Sequence, residues 1–185
     1  DIINLNFGDT FYIDENSGPV FVNETIIYNE TIIAVTQKGI FSADVNDPNL
    51  VDYNNWLQPE GDLLGNFSSI SVLDDAIFTS RSSRLYELVG IDRLVQRRSF
   101  NKNILKLRSS DKFITVTLLE SAHVLDKDLN LIYEAKATAN YNFELNTSFA
   151  DMDEIYLATN TFGVLTKSYL AVDYLEIHPE GPSSN

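Results

Sequence analysis

The sequence predicts an all-β protein, and three observations support this fold class. The recurrent apolar or β-forming residues are Ile, Val, Phe, Tyr and Thr, and there are no helical segments of ten or more residues rich in Ala or Leu. Short apolar runs are separated by turn residues along the whole chain. A related pattern returns four times at a spacing close to 40 residues. This spacing is typical of a β-propeller, in which each repeat is one four-stranded blade.

The clearest copy of the pattern is the stretch 154–168, EIYLATNTFGVLTKS. Two apolar runs, 155–158 and 164–165, are separated by turn residues that include Gly163. A glycine can adopt the positive φ that a tight hairpin turn requires, so this stretch is predicted to be a hairpin. The second run of each copy begins at Ile40, Leu85, Ala122 and Val164, with separations of 45, 37 and 42 residues.

We predict one partial propeller domain over residues 1–185, with about four blades that are four-stranded antiparallel meanders. The blades are predicted at 20–60, 67–100, 103–137 and 143–178. Residues 1–13 alternate around Phe7, Phe11 and Ile13, a pattern that predicts the outer strand of a preceding blade.

Each blade is divided into strands by its turn residues. In the first blade the predicted strands are 22–28, 32–36, 39–45 and 53–57. In the second blade they are 70–73, 76–79, 85–88 and 94–99. In the third blade they are 105–108, 113–118, 122–125 and 131–135. In the fourth blade they are 148–151, 155–159, 164–168 and 174–177.

The middle strands favour a propeller over other all-β folds because they are apolar on successive residues, as in Ile32, Ile33, Ala34 and Val35. Such runs indicate burial on both faces of the sheet. A radial stack of sheets buries both faces of each inner blade, whereas a two-sheet sandwich produces cleaner alternation. The sandwich is the second choice.

Composition limits the class of protein further. A chain of 185 residues suits one domain, and the absence of cysteine excludes disulfides and thiolate metal sites. The net charge of −14 argues against generic nucleic-acid binding. No run approaches the roughly 18 apolar residues of a membrane helix, and the first residues do not have the pattern of a signal peptide. Since the chain also begins without Met, we expect a piece of a longer protein whose targeting signal lies upstream.

The positive charge is concentrated in one window. Residues 81–112 contain nine of the 13 basic residues and three acidic ones, a net charge of +6, while the rest of the chain carries −20. One interpretation is that these are solvated side chains of outer strands and loops. The other is a basic face for an anionic partner. The candidate interaction patch consists of Arg81, Arg84, Arg93, Arg97 and Arg98.

Residues typical of catalysis or cofactor binding are not arranged in known patterns. The two histidines, His123 and His178, are 55 residues apart and are predicted to be structural or exposed. No nucleophile elbow and no phosphate-binding glycine loop are present, and the acidic groups around Asp47 and Asp151 do not have the glycine and glutamate of a calcium loop. We predict no catalytic residue, no metal and no cofactor.

Four segments resemble a known family. These are FGDTFYI at 7–13, ADVNDPNLVDYNNW at 43–56, LATNTFGVLTKS at 157–168 and EIHPEGP at 176–182. They are similar to the PorZ family, propeller-containing surface components of the type IX secretion system of Bacteroidetes. The similarity extends in order over nearly the whole chain. It implies a fragment of the N-terminal seven-bladed propeller, with its last four blades and the outer strand of the one before.

The resemblance also implies a function. In that family PorZ works beside the sortase PorU in a complex that attaches anionic lipopolysaccharide to secreted cargo. For this piece it implies a non-enzymatic scaffold or docking module at the cell surface, with PorU-like proteins and possible anionic lipopolysaccharide as partners. Two alternatives stay open: the extracellular sensor propeller of a hybrid two-component regulator, and a propeller enzyme with acids or a metal on its axis.

Four blades also raise a physical question, because an open arc leaves two apolar blade faces bare. The sequence leaves three solutions open: self-association, closure as a compact four-bladed unit, or a fold of which this chain is only a part.

Overall fold

The computed structural model describes residues 12–14 and 19–177. This part of the chain is all-β: fifteen strands form four antiparallel sheets, and the helices are two short 3-10 turns. Each sheet is a meander of strands that are consecutive in the sequence.

The strands of the four sheets have the following bounds. Sheet 1 contains β1 (Val22–Tyr28), β2 (Thr31–Thr36) and β3 (Ile40–Asp44). Sheet 2 contains β4 (Ser69–Leu73), β5 (Ala76–Arg81), β6 (Arg84–Val89) and β7 (Arg93–Ser99). Sheet 3 contains β8 (Lys106–Ser109), β9 (Ile114–Thr117), β10 (Ser121–Leu125) and β11 (Leu131–Lys136). Sheet 4 contains β12 (Leu145–Ala150), β13 (Glu154–Thr159), β14 (Val164–Ser168) and β15 (Leu175–Ile177).

The first strands of the sheets pack next to one another in chain order. β1 contacts β4, β4 contacts β8, and β8 contacts β12, so these four strands line the inner side of the arrangement. The other strands of each sheet extend outward from them. The four sheets are therefore the blades of a β-propeller arrangement, as the sequence predicts.

Tight turns join the strands where the sequence places turn residues. Asn29 and Glu30 have φ of 44° and 61°, and Asp74 and Asp75 have φ of 49° and 62°. Two consecutive residues with positive φ form the turn type that matches the twist of a two-residue hairpin. Gly163 has a φ of 69°, which confirms the predicted glycine turn between β13 and β14.

The middle strands are buried on both faces, as predicted. In β2 the exposed fractions of Ile33, Ala34 and Val35 are 1% or less. Side chains on one face of each sheet pack against the next sheet, which produces three apolar clusters between successive sheets. Linker residues that precede each sheet complete these clusters: Phe67 between sheets 1 and 2, Ile104 between sheets 2 and 3, and Phe143 between sheets 3 and 4.

A fourth apolar cluster covers the outer side of sheet 1. Phe41 and Ala43 pack there against Ile13 and Trp56. The Trp56 indole donates a hydrogen bond of 2.9 Å to the carbonyl of Leu50, which satisfies its polar group. Trp56 is therefore a packing residue of the first blade.

The predicted fourth strand of the first blade, 53–57, is wrong. Tyr53–Asn55 form a 3-10 turn, and the side chain of Asp52 accepts a hydrogen bond from the backbone N–H of Asn54. This cap satisfies a backbone donor locally and so competes with strand pairing. An isolated bridge between Ser42 and Leu57 marks the position of a fourth strand, and a second isolated bridge joins Gly39 to Leu64.

The strand predicted at 1–13 lies mostly outside the described residues. Within the described part, Ile13 is buried against sheet 1 and the backbone N–H of Tyr12 donates to the carbonyl of Val51.

Candidate interaction surface

The five arginines of the candidate patch all lie on sheet 2. Arg81 ends β5 and Arg84 begins β6, so the two face each other across a tight turn. Arg93 begins the outer strand β7, and Arg97 and Arg98 lie near its end.

Arg81 is used inside the protein. Its guanidinium donates hydrogen bonds to the carbonyls of Asp62 and Leu64, at 3.0 and 2.9 Å, in the linker that enters sheet 2. It also lies 5.1 Å from the centre of the Phe67 ring and 5.2 Å from that of Tyr86. These contacts attach the linker to the edge of sheet 2, so Arg81 has a structural role.

Arg84 is exposed and contacts the same tyrosine, Tyr86. Burial alone would raise the pKa of Tyr86, but hydrogen bonds from Arg84 and Arg81, together with their charges, lower it. The Tyr86 side chain is therefore held by two cations at the turn between β5 and β6.

Arg97 and Arg98 line a cleft of about 630 Å³ between the outer parts of sheets 2 and 3. The Nε of Arg97 lies 2.9 Å from a carboxylate oxygen of Glu87, and Nη1 of Arg98 donates to the carbonyl of Leu129. The pairing of β6 with β7 has a β-bulge at this point: Arg98 pairs with Leu85, Gln96 pairs with Tyr86, and Arg97 is the additional residue between them.

Lys127 also lines this cleft, together with Asp128 and Gln96. Lys127 is outside the basic window of the sequence, and only the packing of sheet 3 on sheet 2 brings it near Arg97. We call the cleft formed by Glu87, Gln96, Arg97, Arg98, Lys127 and Asp128 the rim cleft. It contains three cations and two carboxylates, a local excess of positive charge in an acidic protein.

Arg93 lies at the opposite end of β7 and is exposed. Arg93 pairs with Val89, and Arg84 lies five residues before Val89 in β6. Arg84 and Arg93 are therefore separated by about 17 Å along the strand direction. The structure therefore places Arg97 and Arg98 together in the rim cleft and Arg81 and Arg84 together at the turn between β5 and β6, while Arg93 lies apart at the other end of β7.

A second charged cluster lies on the inner strands, and the sequence analysis did not find it. Glu24 of β1 accepts hydrogen bonds from the Ser69 hydroxyl, from the backbone N–H of Ile70 at 3.1 Å, and from Nη1 of Arg108 on β8. Nζ of Lys106 lies 4.0 Å from the same carboxylate. One carboxylate thus joins three blades, and we call this set the inner-strand cluster.

The environment of Glu24 favours its ionised form. Burial alone would raise its pKa, but the hydrogen bonds from Ser69, Arg108 and Ile70, together with the charge of Arg108, lower it. Its partners lie 45, 46 and 84 residues away in the chain, so no local signal in the sequence could show this arrangement.

His123 has a structural environment, as predicted. Its ring packs edge to face on Phe100 with 5.3 Å between ring centres, and Nε2 lies 3.3 Å from a carboxylate oxygen of Glu134. Burial lowers the pKa of His123 more than the charge of Glu134 raises it. His178 lies outside the described residues. Within residues 12–14 and 19–177, no three His, Asp or Glu side chains come together as metal ligands.

The helices in the described part of the chain are too short to cross a membrane.

No protein-family model matches this sequence. The search of curated proteins also found no match.

Solved structures of propellers are similar to this chain. The WD40 β-propeller domain of Doa1 superposes with a TM-score of 0.61 at 11% identity, over 84% of this chain and 58% of that one. The extracellular domain of the putative one-component system BT4673 from B. thetaiotaomicron gives a TM-score of 0.64 at 13% identity, over 89% of this chain and 23% of that one.

PorZ, an essential surface component of the type IX secretion system of Porphyromonas gingivalis, gives a TM-score of 0.62 at 14% identity, over 89% of this chain and 22% of that one. The chain thus spans little more than half of the Doa1 propeller and less than a quarter of the other two proteins. At these identities the similarity establishes the propeller fold.

Proposed function

We propose that this chain is a non-enzymatic interaction module at a bacterial cell surface, similar to the N-terminal propeller of PorZ in the sortase complex of type IX secretion. The observation that carries the proposal is the rim cleft, which gathers Arg97, Arg98 and Lys127 from two blades of an otherwise acidic protein. The PorZ-like segments, among them 43–56 and 157–168, support the same assignment.

The chemistry of the rim cleft defines the class of partner. Its three cations fit an anionic group, such as an acidic segment of a PorU-like sortase or the phosphate of anionic lipopolysaccharide. The neighbouring carboxylates Glu87 and Asp128 limit the net positive charge, which favours a partner that also donates hydrogen bonds over a bare polyanion.

A pull-down with a PorU-like sortase, at about 50 and 200 mM salt, tests this function. We expect binding that weakens as salt rises and that Lys127→Glu reduces at both concentrations. Lys112→Glu is the matched control because it makes the same change of charge at an exposed residue outside the rim cleft. Equal loss in both variants would mean that only the net charge matters. No binding of the unmodified chain at either salt concentration would refute the assignment.

The second candidate function is the sensor propeller of an extracellular signalling protein. It is favoured by the similarity to the extracellular domain of BT4673, which covers 89% of this chain. A gene whose product joins this chain to a membrane helix and a kinase would decide for the sensor.

A further inference from the structure

A groove of about 450 Å³ lies between sheets 1 and 2, where the turns that follow β1, β4 and β6 come together. We call it the inter-blade groove, and its lining includes Tyr28, Ile33, Asp74, Asp75, Ile77 and Leu88. Its floor is apolar, because Ile33, Ile77 and Leu88 belong to the apolar cluster between the two sheets.

The walls of the inter-blade groove are held by a hydrogen bond and by turn geometry. The Tyr28 hydroxyl donates a hydrogen bond of 2.8 Å to the carbonyl of Asp75, which joins the first blade to the second beside the groove. Asn29 and Glu30 on one side, and Asp74 and Asp75 on the other, form two-residue turns with positive φ. The groove is therefore preformed, and binding does not require these turns to become ordered.

The corresponding places between the other sheets are filled by the protein itself. Leu129, from the turn before β11, packs into the cluster between sheets 2 and 3 and is 9% exposed. Tyr169, from the loop after β14, packs on Tyr133 of sheet 3 with 5.0 Å between ring centres. At this position the turn of sheet 2 has Gly90, without a side chain, and Ile91, which is 39% exposed. The inter-blade groove is thus the place of a side chain that this pair of sheets does not supply.

The rim of the inter-blade groove is acidic. Asp74 and Asp75 are exposed, and neither carboxylate forms an ion pair with another described residue. Glu87 also lines the groove, but it is paired with Arg97. No lysine or arginine of the described residues lines the groove. An apolar floor below a negative rim fits a side chain with a long apolar stem and a positive end.

We propose that the inter-blade groove binds a lysine or arginine side chain of a protein partner. The stem of that side chain packs on Ile77 and Leu88, and its cationic group contacts the carboxylates of Asp74 and Asp75. The groove therefore binds the charge opposite to the one that the rim cleft binds.

A protein is the occupant that the position of the groove favours. Ala76 and Glu87 line both the inter-blade groove and the rim cleft, so the two sites are contiguous. One peptide segment with a basic and an acidic residue reaches both sites, whereas a free amine fills one of them. The choice of a protein rests on the proposed function, and the binding of a cationic side chain does not.

Methyl NMR of the protein tests the groove with small probes. The probes are N-acetyl-lysine methylamide, N-acetyl-arginine methylamide and, as a matched control, N-acetyl-norleucine methylamide, which has the apolar stem without the charge. We expect the two cationic amides, at about 1–10 mM, to shift the methyl signals of Ile77 and Leu88. Equal affinity for the norleucine amide, or no shift with any probe, would overturn the proposal.

Asp75→Asn tests the role of the rim. Asparagine tolerates positive φ as aspartate does, so the turn keeps its geometry. We expect this substitution to weaken binding of the lysine amide by about 1.5- to fivefold, the range of an exposed ion pair. Asp111→Asn is the matched control, because Asp111 is an exposed residue between β8 and β9, outside the groove. An equal loss in the control would show that only net charge matters and would overturn the site.

A pull-down with a PorU-like sortase tests the partner separately from the site. We expect Asp75→Asn to bind less sortase than the original chain and than Asp111→Asn. Unchanged binding of Asp75→Asn would overturn the assignment of the groove to this partner. If the original chain did not bind the sortase at all, the proposed function and the protein partner would both be refuted, while shifts with the lysine amide would still support the cationic site.

Light scattering tests a second copy of this chain as the occupant. We expect the original chain to remain a monomer as its concentration rises. A dimer that Asp75→Asn dissociates and Asp111→Asn does not would assign the groove to a second copy and overturn the choice of another protein.

Discussion

Replacing Glu24 by Gln tests whether the inner-strand cluster holds three blades together. The side-chain carbonyl of Gln can still accept a hydrogen bond from Ser69 or Ile70, but its amide places a donor towards the guanidinium of Arg108. The substitution therefore removes the charge and the ionic hydrogen bond while it keeps the size of the side chain.

The size of the effect follows from exposure. A hydrogen bond to a charged group contributes about 1.5–3 kcal/mol, and the side chain of Glu24 is 14% exposed. The side chain of Arg108 is 39% exposed, so solvent screens the pair and the lower part of that range applies. We expect Glu24→Gln to reduce the free energy of unfolding by about 1.5–2 kcal/mol at pH 7, which lowers the Tm by about 3–8 °C for a chain of this length.

The effect has a defined pH dependence. The pKa of Glu24 in the folded protein lies below its usual value of 4.5, so the ionised form stabilises the fold above that value and the contribution is lost as pH falls through the folded pKa. Urea unfolding of the original protein and of Glu24→Gln, at pH 7 and at several values below 4.5, gives the difference in their free energies of unfolding at each pH. The effects of other carboxylates cancel in this difference.

The control is Glu87→Gln, which removes the partner of the half-exposed Arg97 and should change stability by about 0–1 kcal/mol. A loss below about 0.5 kcal/mol for Glu24→Gln at pH 7, or a difference that does not shrink in acid, would refute the role given to the inner-strand cluster.

Three further substitutions test the packing. Arg81→Ala should lower the free energy of unfolding by about 1–2 kcal/mol, since it removes two hydrogen bonds and two ring contacts. Arg81→Lys should not restore this stability, because lysine does not have the planar guanidinium. Urea unfolding measures both variants, and full rescue by lysine would contradict this reasoning. Leu85→Ala should lower the free energy of unfolding by about 2–5 kcal/mol, because a neighbouring sheet covers Leu85. Val164→Ala should lower it by less than about 1 kcal/mol, because Val164 is 38% exposed. Equal losses would mean that the faces of sheets 2 and 4 that carry these residues are in the same environment. Gly39→Ala should lower the Tm and reduce the free energy of unfolding by about 1–3 kcal/mol, because the new Cβ would lie 2.5 Å from the Cβ of Pro59. An unchanged Tm would show that the loop around Pro59 can move aside.

The strands could be predicted from the sequence because their signals are local. Apolar runs on successive residues predict β2, and the Asp74 and Asp75 pair predicts the turn before β5. The error at 53–57 is also local in origin: Tyr53 and Trp56 have high strand propensity, but Asp52 caps a 3-10 turn that competes with the strand.

The sites could be predicted only in part because they depend on contacts between blades. The density of basic residues identified the window that contains Arg97 and Arg98. Lys127 enters the rim cleft from sheet 3, about 30 residues along the chain from Arg97, so the sequence does not indicate that they are neighbours. Glu24 looks like an ordinary strand residue in an acidic chain until the fold brings Arg108 to it from 84 residues away.

Some basic residues of the window 81–112 make contacts inside the protein and others face solvent. The positive charge available to a partner is therefore smaller than the sequence suggests. Arg81 holds a linker and Arg108 pairs with Glu24, so part of the +6 charge of the window is already used inside the protein. Within the rim cleft, Glu87 lies 2.9 Å from Arg97. A polyanion that sensed all nine basic residues would lose affinity steeply with salt, whereas a partner that contacts the rim cleft alone should show a shallow dependence. The slope of affinity against salt therefore separates a local contact at Arg98 and Lys127 from diffuse attraction to the whole face.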